Sequence, residues 1–213
     1  MTQPAAGPRP GAPPTAPRVR RGRPGHNQDT LLDVAVALFN ERGFEATSME
    51  ELAGRLGVTK SAIYHHVPSK VELLRLALDR ALDGLFAVTA EPGATTGPAI
   101  ARLEHVVRGS VRVLAARLPF VTLLLRVRGN SAVERAALER RREFDRFVTG
   151  LVRAAEREGS VRPDVDPALI SRLLFGTVNS LVEWYRPDGP LSPDDLADAL
   201  VATTFDGLRT GFR

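Results

Sequence analysis

Between Thr59 and Lys70 the chain reads TKSAIYHHVPSK. It sets three hydroxyls, two lysines, a tyrosine and two adjacent histidines within one short stretch. A metal, a substrate or a polyanion could each use such a mixture. The metal option is poor. His65 and His66 are consecutive, so on a helix they point about 100° apart and cannot grip one ion as an i, i+4 pair would. No HExxH and no acidic ligand stands nearby, so neither a metal nor any other cofactor is expected. A polyanion fits better. Hydroxyls and lysine bond phosphates or base edges, and Ala62 is small enough for close approach or for contact with a thymine methyl.

The flanking elements decide how these groups are presented. Upstream, DTLLDVAVALFNERG carries Leu31, Leu32, Ala35, Leu38 and Phe39 at helical spacing and ends at Gly43. Thr47 with Glu50, and Ser48 with Glu51, form two overlapping capping boxes for a short helix that turns Met49, Leu52, Ala53 and Leu56 inward. Gly57 breaks that helix, Thr59 caps the next with Ile63 facing inward, and Pro68 stops it. Ser69 with Glu72 opens a long fourth helix. Two short helices joined at a glycine and packed on a third make a helix-turn-helix, whose second helix enters the major groove of duplex DNA. Thr59, Lys60, Ser61, Ala62, Tyr64, His65 and His66 then face the DNA, and Ser69 and Lys70 hold its backbone with an amide and a charge. The plain alternative is a solvated surface helix with no partner.

The stretch LFNERGFEATSMEELAGRLGVTKSAIYHHVPSKVELL resembles the N-terminal domain of TetR/AcrR-type transcriptional regulators. The resemblance covers about residues 27–80, with Val67 standing where the family usually has phenylalanine. It implies a helix-turn-helix over Ser48–Val67, with DNA contacts at Thr47, Ser48, Thr59, Lys60, Ser61, Tyr64, His65 and Lys70. It also implies a repressor released from its operator by a small-molecule effector. Two other readings stay open: an architectural protein that binds DNA without sequence preference, and an enzyme whose site is assembled only in space. The chain has no G-x-S-x-G, no phosphate-binding G-x-x-x-x-G-K and no G-x-G-x-x-G.

The net charge of +4 is unevenly spread over the 213 residues. Residues 1–25 hold five arginines, no acid, seven prolines and four glycines, and read as a disordered basic arm. Its RRGRPG segment resembles an AT-hook core, in which Arg21 and Arg23 would enter a narrow minor groove. Residues 26–80 carry six basic and eight acidic groups. Residues 98–130 carry Arg102, Arg108, Arg112, Arg117, Arg126 and Arg128 against Glu104 alone, a zone suited to an anionic ligand. There is no cysteine, and no apolar block of the length a signal peptide or a membrane span requires. A cytoplasmic, nucleoid-associated protein with no membrane partner is expected.

The second half reads as five more helices, over about 98–117, 119–128, 132–158, 167–186 and 193–211. Ser131 with Glu134, Asp166 before Pro167 and Ser192 before Pro193 mark three of their starts. No strand pattern and no repeat is found, so the expected fold is all-α with about nine helices. The expected division is an arm at 1–25, a DNA-binding domain at 26–86 and an effector-binding and dimerisation domain at 98–213. The stretch TAEPGATTGP is read as separating the halves. The helix at 167–186 is apolar on more than one side, which suits a subunit core on one side and a second subunit on the other. The helix after it adds a small-residue stripe, Ala199, Thr203 and Gly207, so a homodimer is expected. Candidates for an effector site are Arg112, Phe120, Leu124, Arg126, Phe144, Phe147, Leu174, Val178 and Trp184. The segment WYRPDGPLSPDDL resembles its counterpart in TetR-type regulators that respond to acyl-coenzyme A thioesters, which implies an acyl-CoA effector.

Overall fold

The structure, a computed structural model, describes residues 28–208. The basic arm with Arg21 and Arg23 therefore lies outside the described residues. The described chain is entirely helical: α1 (Gln28–Arg42), α2 (Met49–Leu56), α3 (Lys60–Tyr64), α4 (Lys70–Ala90), α5 (Pro92–Thr95), α6 (Ala99–Ala116), α7 (Leu118–Arg126), α8 (Ala132–Arg157), α9 (Pro167–Trp184) and α10 (Pro193–Leu208). It contains no strand among the described residues.

Local chemistry sets most helix starts. Ser48, Thr59, Ser69 and Ser131 each accept a hydrogen bond from the backbone N–H three residues on, and Asp166 accepts from Ala168 and Leu169. Each cap satisfies a first-turn donor that would otherwise have no partner. Gly57 closes α2 at φ 66°, a left-handed conformation that costs glycine little. The apolar positions expected inside α1, α2 and α3 are buried, Ile63 among them. Glu134 extends its cap further. Its Oε2 accepts from the backbone N–H groups of Arg128, Gly129 and Asn130, at 2.9, 2.9 and 3.1 Å, and so ties the α7–α8 turn to the first turn of α8.

Helix α4 joins the two ends of the molecule. It packs on α1 and also against α6, α7 and α8, so one apolar core runs from α1 to α10. It crosses α6 closely because both helices present glycine there. A Cβ on Gly109 would overlap Val88, and one on Gly84 would meet Val113 at 2.9 Å and Arg117 at 2.8 Å.

Two expectations are corrected. The stretch read as separating the halves contains the one-turn helix α5, so the described residues form ten helices where about nine were expected, in the same all-α fold. Pro92 starts it, Ala94 is fully buried, and Arg102 Nε donates to the Ala94 carbonyl at 2.9 Å. Proline and glycine mark a break in a helix, but they do not say whether the broken segment docks. The other correction concerns α3, which ends at Tyr64, so His65 and His66 form a turn beyond it. The amides of His66 and Val67 both return to the Ile63 carbonyl, at 2.9 and 3.1 Å. Pro68 disfavours a helical conformation at Val67, which accounts for the early stop.

Candidate nucleic-acid interface and effector cavity

Helix α3 is held by its apolar side and open on its polar side. Ile63 is buried, Val58 is half-buried, and Thr59, Lys60, Ser61, Tyr64, His65 and His66 are exposed, with Ala62 half-buried. Tyr64 is 45% exposed, unusual for a ring that could have packed. The lysine is positioned twice over: its Nζ pairs with Glu50 of α2 and lies 5.9 Å from the Tyr64 ring centre. The hydrogen bond that Lys60 donates to Glu50 holds the lysine above its ordinary range, and the same bond holds the Glu50 carboxyl below its own. A cation on a short helix is thus aimed by a neighbouring acid in the same unit. Ser48 is exposed at the start of α2, and Ser69 is half-buried at the start of α4.

Two residues expected at the surface are turned inward. Thr47 is buried and donates its hydroxyl to the Gly43 carbonyl at 2.9 Å, so the Ser48 side chain alone caps α2. Lys70 directs Nζ to the carbonyls of Phe44, Glu45 and Thr47, at 2.8, 3.3 and 2.9 Å, and lies 4.4 Å from the Phe44 ring centre. All three ammonium donors are engaged on the α1–α2 turn, leaving none for a phosphate. Lys70 is a positioning residue here. Its three acceptors are distant in sequence, so residue type alone could not reveal this.

Behind α4 lies a cavity of about 40 Å³ that is partly open to the surface. Its apolar wall includes Leu82 and Leu85 of α4, Leu114 of α6, Leu124 of α7, Phe144 of α8, and Phe175 and Val178 of α9. Phe144 meets Phe86 and Phe175 edge to face, with ring centres 6.1 and 5.2 Å apart. Its polar lining is Ser110, Arg141, Asp145 and Asn179. Burial pushes the Arg141 guanidinium below its usual range and the Asp145 carboxyl above its own. Asp145 keeps an exposed side toward water, and we read it as an ionised carboxylate.

Three of the nine expected effector residues, Leu124, Phe144 and Val178, line this cavity. The others lie elsewhere. Arg112 is exposed and pairs with Asp194 at 2.6 Å, while Arg126 donates to the Asn40 carbonyl at 2.8 Å. Phe120 is buried under Arg80, whose guanidinium carbon is 5.3 Å from the ring centre. Leu174 borders a separate hollow with Leu173 and Thr204, Phe147 is half-buried outside the lining, and Trp184 is 50% exposed. The arginine-rich zone is mostly engaged within the protein as well. Arg108 pairs with Asp198, Arg102 bonds the Ala94 carbonyl, and Arg117 bonds the Arg80 carbonyl. The zone's charge meets acids on α10 that are distant in sequence. Composition missed Arg141 because α8 interleaves its seven arginines with five acids and does not stand out as a basic zone.

Helix α9 is two-sided. Ile170, Leu174, Val178 and Leu181 are buried, whereas Leu169, Leu173 and Trp184 are 46%, 62% and 50% exposed. Ala199 and Thr203 are exposed on α10. Among the described residues no helix is long and apolar enough to cross a membrane.

An exposed helix-turn-helix joined by one long helix to a larger helical body defines a DNA-binding regulatory protein. Residues 31–77 match the family of bacterial regulatory proteins of the tetR type, and residues 96–208 match the tetracyclin repressor-like C-terminal domain. The chain belongs to the TetR family of transcriptional regulators. It is 34% identical to the HTH-type transcriptional repressor KstR2 of Rhodococcus jostii (strain RHA1) over 181 residues, 84% of this chain and 89% of that protein. A crystal structure of a TetR-family regulator from Streptomyces coelicolor superposes with a TM-score of 0.80 at 55% identity, covering 85% of this chain and 92% of the other. The crystal structure of AibR in complex with isovaleryl coenzyme A and operator DNA superposes at 0.71 with 26% identity, covering 84% and 97%.

Proposed function

We propose that this regulator is a repressor that binds an operator duplex as a homodimer and is released by a small-molecule effector of the acyl-CoA thioester class. The observation that carries the reading is α3: a helix anchored by buried Ile63 while Thr59, Lys60, Ser61, Tyr64, His65 and His66 stay open to a groove. Ser48, Ala62 and Ser69 flank it. Glu50 and Lys70 fix, respectively, the lysine that reads the DNA and the turn before α2. The arm at 1–25, with Arg21 and Arg23, adds phosphate or minor-groove contacts. Residues 26–86 serve as the reader and residues 98–213 as the effector-binding and dimerisation domain of a cytoplasmic, nucleoid-associated protein. Dimerisation uses the exposed face of α9 with Ala199 and Thr203 of α10, because one helix-turn-helix touches too few base pairs for useful specificity.

The effector reading is supported by the cavity behind α4 and by the likeness to AibR. A cavity of about 40 Å³ holds a few waters, whereas a drug-sized ligand fills roughly 300 Å³ or more. Entry therefore moves the walls, and α4 is one of them. A ligand that binds the opened state better than the closed one shifts the spacing of the two readers.

The test begins with selection of bound fragments from a genomic library. On the selected operator, a Lys60→Ala, Tyr64→Ala double variant is expected to bind about 30-fold to several hundred-fold more weakly with its thermal unfolding unchanged. Undiminished binding by that variant refutes the reading. A panel of acyl-CoAs is expected to release the wild-type protein from the operator, and silence across the panel removes the effector class.

A further inference from the structure

Among the described residues four arginines make no side-chain hydrogen bond or ion pair, Arg128, Arg141, Arg153 and Arg172, and of these Arg141 lines the cavity. Among the described residues of the arginine-rich zone, Arg128 alone makes no side-chain hydrogen bond or ion pair; Arg102, Arg108, Arg112, Arg117 and Arg126 are all engaged. Arg141 of α8 and Arg172 of α9 have no such partner either. Arg141 lines the cavity, Arg128 lies near enough to oppose its charge, and Arg172 lies near enough to favour the charge of Asp145. Arg141 therefore brings an unpaired guanidinium to the wall of a largely apolar cavity, with Asp145 the one acid in its lining.

Arg141 and Asp145 stand one helical turn apart but close no ion pair. The arginine precedes the acid, the less favourable order along a helix. A half-buried guanidinium without a bonded partner is a standing cost, and a carboxylate or phosphate would relieve it with a short, charge-assisted bond. Asn179 offers a second polar group beside it, whereas the Ser110 hydroxyl already donates to the Val106 carbonyl at 2.7 Å.

We infer that the cavity receives an anionic amphiphile, with its apolar chain among Leu82, Leu124, Phe144, Phe175 and Val178 and its carboxylate or phosphate on Arg141. Arg128 and Arg172 supply the surrounding field, and the Asp145 carboxylate opposes the ligand's charge. This rests on the cavity being the effector site, and it assigns the charge recognition to α8 and α9, not to the basic stretch at residues 98–130.

The test uses the full-length protein with octanoate, octanoyl-CoA and 1-octanol as probes, read by calorimetry. Wild type is expected to bind at least one of the two anions about tenfold or more tighter than the alcohol. Octanoate alone identifies the carboxylate as the recognised group, and octanoyl-CoA alone identifies the phosphates. Arg141→Met is expected to lose about tenfold to a hundredfold for the anion and nothing for the alcohol. Asp145→Asn is expected to tighten anion binding several-fold, because it removes the competing charge; a merely structural acid would not do so. Equal affinity for anion and alcohol, unchanged anion binding in Arg141→Met, weaker anion binding in Asp145→Asn, or no binding of any probe each overturns the inference. Operator binding without ligand is measured on the same samples. Its presence alongside any of those results leaves the repressor reading standing, and its absence in wild type removes that reading separately.

Discussion

Replacing Lys70 by methionine removes an ammonium while keeping a flexible apolar stem. Three carbonyls lose their donor. Those of Phe44 and Thr47 are part-buried, at 2.8 and 2.9 Å, and that of Glu45 is exposed, at 3.3 Å. Hydrogen bonds to a charged group contribute about 1.5–3 kcal/mol each when water is excluded. Here one ammonium is shared and water reaches one acceptor, so about 2 kcal/mol is expected from the set. The contact 4.4 Å above the Phe44 ring adds about 0.5 kcal/mol. A loss of about 2–3 kcal/mol lowers the melting temperature of a chain this size by about 5–10 °C. The operator tells the two roles of Lys70 apart. Held inside the turn, Lys70 releases no counterion, so K70M weakens binding by loosening α2 but leaves the slope of log affinity against log salt unchanged. Held on a phosphate, its loss flattens that slope by about 0.9. Thermal unfolding and fluorescence anisotropy across a salt series read both quantities. A melting temperature within about 1 °C of wild type together with a flattened slope refutes the positioning role.

Glu134 carries a pH signature. Burial raises its carboxyl pKa, but the amides of Arg128, Asn130 and Gly129 with the Ser131 hydroxyl together outweigh this and hold it below the ordinary glutamate range. A depressed folded pKa contributes stability above the unfolded value, about 4.3, that is lost as pH falls through the folded value. Urea titrations at neutral and acid pH are expected to show E134Q less stable at neutral pH, with the difference shrinking below about pH 4; a constant difference contradicts the assignment. Leu173→Glu on the exposed face of α9 is expected to give monomers in sedimentation and about a hundredfold loss of operator affinity; a dimer of unchanged affinity moves the interface elsewhere. Deleting residues 1–25 is expected to weaken operator binding and flatten its salt dependence; an unchanged slope removes the arm from the contact.

The fold was legible wherever the determining interaction is short-range. Ser48, Thr59, Ser69, Ser131 and Asp166 cap helices because the N–H donors they accept from lie two or three residues away, and the apolar spacing of Leu31 to Phe39 needs only helical periodicity. The exposed polar side of α3 follows from the same periodicity, since burying Ile63 turns Lys60 and Tyr64 outward. Docking of α5 was not legible, because a proline and a glycine act identically in a free loop and in a packed turn.

The sequence by itself determined an all-helical chain, the order of its elements and the face α3 offers. Tertiary structure alone decided which charges remain available. Lys70 meets carbonyls up to 26 residues away, Arg108 and Arg112 meet acids 90 and 82 residues away, and Arg141 meets no bonded partner at all. Caps and periodicity act over a single helical turn and can be read in order along the chain. Whether a cation is neutralised depends on which distant segment the fold brings to within a few ångströms, and one-dimensional order does not carry that distance.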